Sequence, residues 1–280
     1  MTRAEAVRDA AARLAAAGIE DARDEARRLL EHASDLSRAG LISAMGDVMP
    51  GEESERFAAA LARRCAREPL SHILGAVGFW TLDLKVTRDV LTPRPDTETV
   101  VEAALASVTD RGAPLRVLDI ATGSGAIVLA LLSELPNATA VATDLSAAAL
   151  AVARENAHTT GLSDRVTFTE TSWADGVEGR FDLLVSNPPY IAGAVIDTLE
   201  PEVRDREPRL ALDGGPDGLA PYSRLFAEAR RLLQSGGVGV FEIGYDQGGA
   251  ALALARAVGF ADAALRRDLA GRERAVVFRR

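Results

Sequence analysis

The chain has 280 residues, 48% of them apolar, enough to bury one large core or two smaller ones. A net charge of −9 argues against holding bare nucleic acid by phosphate neutralisation, and one cysteine (Cys65) with three scattered histidines (His32, His72, His158) excludes an intramolecular disulfide and gives no metal centre. No apolar run approaches the roughly 20 residues that span a bilayer, and early charges argue against a signal peptide, so the expectation is a soluble, cytoplasmic protein.

Residues 1–69 read as a small helical domain. Val7, Ala10, Leu14 and Ala17 recur at helical spacing up to Gly18, residues 21–33 repeat the pattern, and a third stretch runs over 53–67 before Pro69. These helices carry no recognisable chemistry. From residue 70 the period shortens, and the alternation of Leu82, Leu84 and Val86 beyond Phe79 and Trp80 predicts a β-hairpin within a 70–95 linker, ending at Thr92-Pro-Arg-Pro95. Over 96–280 strands and helices alternate. Strands are predicted at 115–120, 138–143, 166–170, 181–186 and 238–243, and helices at 96–106, 126–135, 147–160, 222–233 and 249–258. A terminal antiparallel pair is predicted at 261–267 and 275–279. This alternation calls for an α/β fold, a parallel sheet with helices on both faces.

Asp119-Ile-Ala121-Thr122-Gly123-Ser124-Gly125 falls where the first of those strands meets a helix. Glycines there admit a ligand close to the backbone, and the helix start leaves N–H groups free. Alone, such a turn is equally a tight connection. Its spacing is neither G-x-G-x-x-G nor a P-loop, however, and Asp144 ends the next strand about twenty residues on, where a carboxylate can accept from both ribose hydroxyls. Asp119 ahead of the glycines is badly placed against a pyrophosphate; it suits a ligand with a positive centre and an amino group, such as S-adenosylmethionine.

Asn187-Pro188-Pro189-Tyr190 follows the apolar strand 181–186, at the carboxyl end where open α/β sheets bind ligands. Two prolines stiffen the backbone and remove two donors, so the surrounding carbonyls are left as acceptors. A planar –NH₂ can donate to the Asn187 side chain and to the Pro188 carbonyl, with the Tyr190 ring as a flat neighbour. Its lone pair is then free to attack a sulfonium methyl in line, and no strong base is required. The plainer alternative is a proline-stiffened turn after a core strand.

The chain resembles the PrmC/HemK family, the protein-(glutamine-N5) methyltransferases that act on peptide chain release factors. Arg67-Glu-Pro-Leu-Ser-His-Ile-Leu-Gly75 with Phe79-Trp80 is similar to the family's hairpin, and Thr92-Pro-Arg-Pro-Asp-Thr-Glu98 to its linker motif. Ser186-Asn-Pro-Pro-Tyr-Ile191 matches the catalytic signature, Glu207–Leu219 the loop after it, and Glu242-Ile-Gly-Tyr-Asp-Gln247 the late strand. The resemblance implies a Rossmann-like, S-adenosylmethionine-dependent methyltransferase sheet behind the helical domain and hairpin, with S-adenosylhomocysteine as product. It further implies that Ala121 to Gly125 contact the methionine part of the cofactor, Asp144 the ribose and Trp173 the adenine. Asn187 would touch cofactor and substrate, Asn187 to Tyr190 would grip the glutamine of a Gly-Gly-Gln motif, and the helical domain would dock the substrate. Ala121 stands where the family usually has glycine, and Asp96 replaces the usual glutamate.

Two other readings stay open. An adenine-N6 or other amine methyltransferase shares the N-P-P-Y pocket, but wants a basic groove and a flipped base. A nucleotide-binding module without transfer has no need of an amide-gripping turn. Trp80 reads as hairpin core or substrate contact, and Arg94 as an active-site aid or a local carbonyl partner. Glu207 and Arg209 read as loop-ordering charges pairing with each other or with neighbours, and Cys65 as packing. If the substrate is a basic protein of the ribosome, the acidic surface would attract it.

Overall fold

The computed structural model describes residues 1–280. Helix α1 (Arg3–Ala16) starts on a capping box, Thr2 accepting from the Glu5 amide and Glu5 from that of Thr2. Then come α2 (Ala22–Ala33), α3 (Arg38–Ser43), α4 (Gly51–Cys65) and α5 (Leu70–Leu74). The hairpin expected from residue 70 begins later, with β1 (Ala76–Phe79) and β2 (Leu82–Lys85). Pro69 opens α5 and Gly75 closes it at φ 74°, so residues 70–74 coil and drive Ile73 into the helical core. Beyond a single 3₁₀ turn at Pro95–Thr97 lie α6 (Glu98–Ala106), β3 (Arg116–Ile120), α7 (Ala126–Glu134), β4 (Thr139–Asp144) and α8 (Ala147–Thr159). They are followed by β5 (Val166–Glu170), β6 (Phe181–Ser186), α9 (Gly193–Ile196) and α10 (Pro201–Arg204). The chain ends with α11 (Ala220–Leu232), β7 (Leu233–Glu242), α12 (Gly248–Ala257), β8 (Ala264–Arg267) and β9 (Glu273–Arg279).

Two compact units result. The first is Met1–Gly75 with Glu200–Arg206. Its core is Ala10, Leu14, Leu29, Leu30, Phe57 and Leu61 with their neighbours. Arg3 and Glu53 form a buried two-bonded pair at 2.7 and 2.6 Å, and Arg64 is held by Glu25 at 2.6 Å and Glu202 at 2.8 Å.

The second unit is Ala76–Leu199 with Glu207–Arg280. Its seven strands run in the order β5-β4-β3-β6-β7-β9-β8, with the first five parallel and β9 antiparallel to both its neighbours. Strand alternation divides the core. Val117, Leu183 and Val185 face α6 and α7, whereas Leu118, Leu184 and Phe241 face α11 and α12. On the second face Phe226, Phe241, Phe260 and Phe278 meet in tilted and edge-on pairs at 4.6–6.3 Å. Trp80 settles as core: it packs on the first face, and its indole N–H donates to Glu134 at 2.8 Å. Cys65 packs against the first unit's core. No helix is long and apolar enough to cross a membrane.

Candidate active site

Strand order places the site. β3 lies between β4, the next strand in the chain, and β6, so connections leave it in opposite directions and open a crevice at the strands' carboxyl ends. Ile120 stands beside Ser186 on one side and Thr143 on the other, and the Ser186 hydroxyl donates to the Ile120 carbonyl at 2.7 Å. This registration brings together the turn after β3, the end of β4 and the Asn-Pro-Pro-Tyr turn after β6. A cavity of about 550 Å³ opens there.

Ala121, Thr122, Gly123, Ser124, Asp144, Trp173, Asn187 and Pro189 line it. Asp119, Gly125 and Tyr190 do not and lie behind the lining, while Pro188 is buried between the lining residues Asn187 and Pro189. Asp119 is sealed beneath the turn, where the Thr122 hydroxyl donates to it at 2.6 Å and its other oxygen has no partner. Burial pushes its carboxyl up to about 7, against the pull of the Thr122 bond. Gly125 caps α7 at φ 83°, with Leu129 3.2 Å from where a Cβ would stand. Asp144 accepts from the Gly123 amide and the Ser146 amide, both at 2.9 Å, which fixes its carboxylate at the rim. Burial raises its pKa above the usual carboxylate range. Ala121 and Trp173 are two of only four non-glycine residues with left-handed backbone, at φ 60° and 53°. The Trp173 carbonyl is held by the Thr143 hydroxyl at 2.6 Å.

At the other wall Asn187 is half-buried and its Nδ2 donates to Thr97 Oγ1 at 3.3 Å. Neither Asn187 Oδ1 nor the Pro188 carbonyl accepts a hydrogen bond within the protein, so both acceptors are unspent. Tyr190 turns away from the cavity. Its hydroxyl donates to the buried Glu242 at 3.1 Å, and its carbonyl accepts from the Gln247 side chain at 2.9 Å. The loop at 212–215 runs alongside Ile191–Gly193, with Ile191 N–H to Leu212 at 3.0 Å, Gly214 N–H to Ile191 at 2.8 Å and Gly193 N–H to Gly215 at 2.9 Å. Gly214 has no room for a Cβ, which would meet the Pro189 carbonyl and Tyr190 Cα at 2.9 Å.

Arg94 lines the cavity and donates to both oxygens of Glu207, at 2.9 and 2.8 Å, while the Thr92 amide donates to the same carboxylate at 3.2 Å. Glu207 therefore pairs with Arg94, and Arg209 pairs with Asp213 and Asp197. Residues the sequence did not single out hold the walls in place. Buried Asn156 donates to the Ser124 carbonyl at 2.9 Å and bonds the Lys85 backbone in both directions. Thr97, Glu242 and Gln247 sit inside recognised motifs, yet their partners lie far off in sequence and no periodicity reveals them.

The parallel sheet, the glycine turn at its switch point and the open acceptors beyond β6 are those of a Rossmann-like methyltransferase. Residues 5–75 match the family described as the PrmC N-terminal domain and residues 101–205 the methyltransferase small domain. Over 266 residues the chain is 46% identical to the release factor glutamine methyltransferase of Caulobacter vibrioides, covering 95% of this chain and 92% of that one. Over 277 residues it is 47% identical to that of Cereibacter sphaeroides, covering 99% and 98%. Among solved structures, a methyltransferase from Pyrococcus furiosus shares the fold, with a TM-score of 0.52 at 18% identity over 81% of this chain and 98% of that one. The chain belongs to the release factor glutamine methyltransferase family.

Proposed function

We propose that this protein transfers a methyl group from S-adenosylmethionine to the side-chain amide nitrogen of the glutamine in the Gly-Gly-Gln motif of peptide chain release factors. The observation that carries the reading is the pair of unspent acceptors, Asn187 Oδ1 and the Pro188 carbonyl, beside a cavity that the Ala121–Ser124 turn and Asp144 share. The cavity suits the cofactor. Asp144 keeps lone pairs free for two ribose hydroxyls after accepting from Gly123 and Ser146, the turn supplies close backbone for the methionine part, and Trp173 offers a flat surface for the adenine. When bound, S-adenosylmethionine supplies an electrophilic sulfonium methyl.

The protein's part is orientation and charge. An amide nitrogen is a weak nucleophile because its lone pair is delocalised into the carbonyl. Asn187 Oδ1 and the Pro188 carbonyl, each accepting a hydrogen bond from one amide N–H, return density to the nitrogen and stabilise the positive charge that develops there. Pro189 stiffens the turn so that the acceptors are held before the substrate arrives. Asp119 stays under the glycine turn and shapes it. The substrate-docking role falls to the helical unit, whose sequence matches the PrmC N-terminal domain. An N-P-P-Y pocket also suits an adenine amino group, but the chain's net charge of −9 does not favour nucleic acid.

The test mixes the protein with S-adenosylmethionine and a purified release factor. Mass spectrometry should find one added methyl on the Gly-Gly-Gln glutamine. An unmodified glutamine alongside a methylated DNA or RNA control would overturn the reading.

A further inference from the structure

An –NH₂ substrate donates, so Asn187 must offer it Oδ1 rather than Nδ2. The two ends of a carboxamide have almost the same shape, and nothing within Asn-Pro-Pro-Tyr chooses between them. The choice is made one residue further away. Asn187 Nδ2 donates to Thr97 Oγ1 at 3.3 Å, so the proton of the Thr97 hydroxyl has to point elsewhere. The buried carboxylate whose charged form that hydroxyl favours is Glu242. Glu242 is 1% exposed; Oε1 accepts from Tyr190 at 3.1 Å, and the buried Oε2, which accepts no hydrogen bond, is the acceptor left open to the Thr97 hydroxyl. We propose that Thr97 and Glu242 are positioning residues that fix the orientation of the Asn187 amide, so that Oδ1 faces the substrate. The inference deepens the reading above and rests on it.

The relay has a direction. An ionised Glu242 only accepts, so Thr97 donates to it and keeps a lone pair for Asn187 Nδ2. A protonated Glu242 can donate to Thr97, whose hydroxyl then turns to Asn187. That favours Oδ1 toward Thr97 and sets Nδ2 against the substrate's own N–H groups, donor against donor. Competence therefore requires the ionised form. Burial pushes the Glu242 carboxyl up to about 7, against the hydroxyls of Thr97 and Tyr190 and the charge of Arg274, with Asp96 pushing the same way as burial. The facing groups come from several elements. Asp96 and Thr97 precede α6, Tyr190 follows β6, and Arg274 of β9 is held by Asp96 at 3.0 Å and Asp268 at 3.2 Å. Tyr222 of α11 donates to the Glu242 main-chain carbonyl at 3.0 Å. Burial raises both phenols, so neither tyrosine titrates in this range.

The experiment uses the whole protein, S-adenosylmethionine and a release factor. For the wild type, kcat should rise with pH through about 7. Thr97→Val should lower kcat roughly 10- to 100-fold through misorientation of Asn187. It should leave S-adenosylhomocysteine affinity, measured by calorimetry, unchanged, and Thr97→Ser should restore turnover. Glu242→Gln keeps a carbonyl for Thr97 but cannot titrate; it should turn over more slowly and show no acid limb. In the ligand-free protein, ¹³C NMR of labelled glutamate carboxyls should follow Glu242 directly, with its midpoint raised in Thr97→Val. Full kcat in Thr97→Val, an acid limb surviving in Glu242→Gln, or an unmoved midpoint would each overturn the assignment. A wild type that methylates no release factor would overturn the functional reading instead, and the NMR titration would still decide the Thr97–Glu242 relay.

Discussion

At Ala121 the backbone holds φ at 60°, a left-handed conformation that costs an ordinary residue roughly 1–2 kcal/mol. The turn after β3 needs this conformation, and a glycine here would adopt it freely. Ala121→Gly should raise the unfolding free energy by up to about 1 kcal/mol, the relieved strain being partly offset by the entropy of an unfolded glycine; chemical denaturation measures it. Asn187 and Asp144 separate transfer from binding. Asn187→Ala removes an acceptor at the reacting nitrogen and should cut turnover roughly 100-fold or more with little change in cofactor affinity. Asp144→Ala removes the rim carboxylate and should weaken S-adenosylmethionine binding roughly 10-fold or more. Calorimetry beside single-turnover kinetics tells the two apart.

The elements around the cleft act as bonded pairs. The 212–215 loop runs against Ile191–Gly193, and Gln247 bonds both the Tyr190 and Gly218 carbonyls, at 2.9 and 3.3 Å. Gly218 has φ 75°, and a Cβ there would strike the Tyr190 carbonyl. Gly218→Ala should therefore displace the Asn-Pro-Pro-Tyr turn, costing about 1–3 kcal/mol of stability and most of the turnover. A melting curve and a kcat measurement together check it, and wild-type values in both would show that the turn does not depend on this contact. Most sheet elements were legible because they are long and periodic: β5 and β6 span the predicted residues, and the terminal antiparallel pair is present as β8 and β9. The short elements α3, α5, α9 and α10 were not, since four to six residues carry too little of a period to mark a helix.

Across the whole molecule, four carboxyls, Asp119, Asp144, Glu207 and Glu242, are raised by burial. For an acid whose folded pKa lies above its unfolded value, the folded state keeps a proton the unfolded chain has lost. Its contribution is full below the unfolded value of about 4 and is lost as pH rises through the folded value. For Asp119 and Glu242 that folded value is about 7. Glu68 and Glu202, lowered by their arginine partners, act in the opposite sense and only on the acid side. The ligand-free protein should thus lose melting temperature between about pH 4 and 7, and Asp119→Asn should flatten the slope. A melting temperature that climbs steadily over this range would contradict the burial of these groups.

The sequence by itself determined the α/β class, the glycine turn, the Asn-Pro-Pro-Tyr signature and the family resemblance, because each is local: a period, a turn or a contiguous motif. Only the tertiary structure decided what those motifs face. Register between β3 and β6 sets Ile120 beside Ser186 and so joins two turns more than sixty residues apart. It also moved Asp119 and Tyr190 behind the cavity wall, gave Arg94 to Glu207, and set Thr97 against Asn187. Hydrogen-bond partners and burial depend on which strands lie side by side, and no local pattern in the chain encodes that.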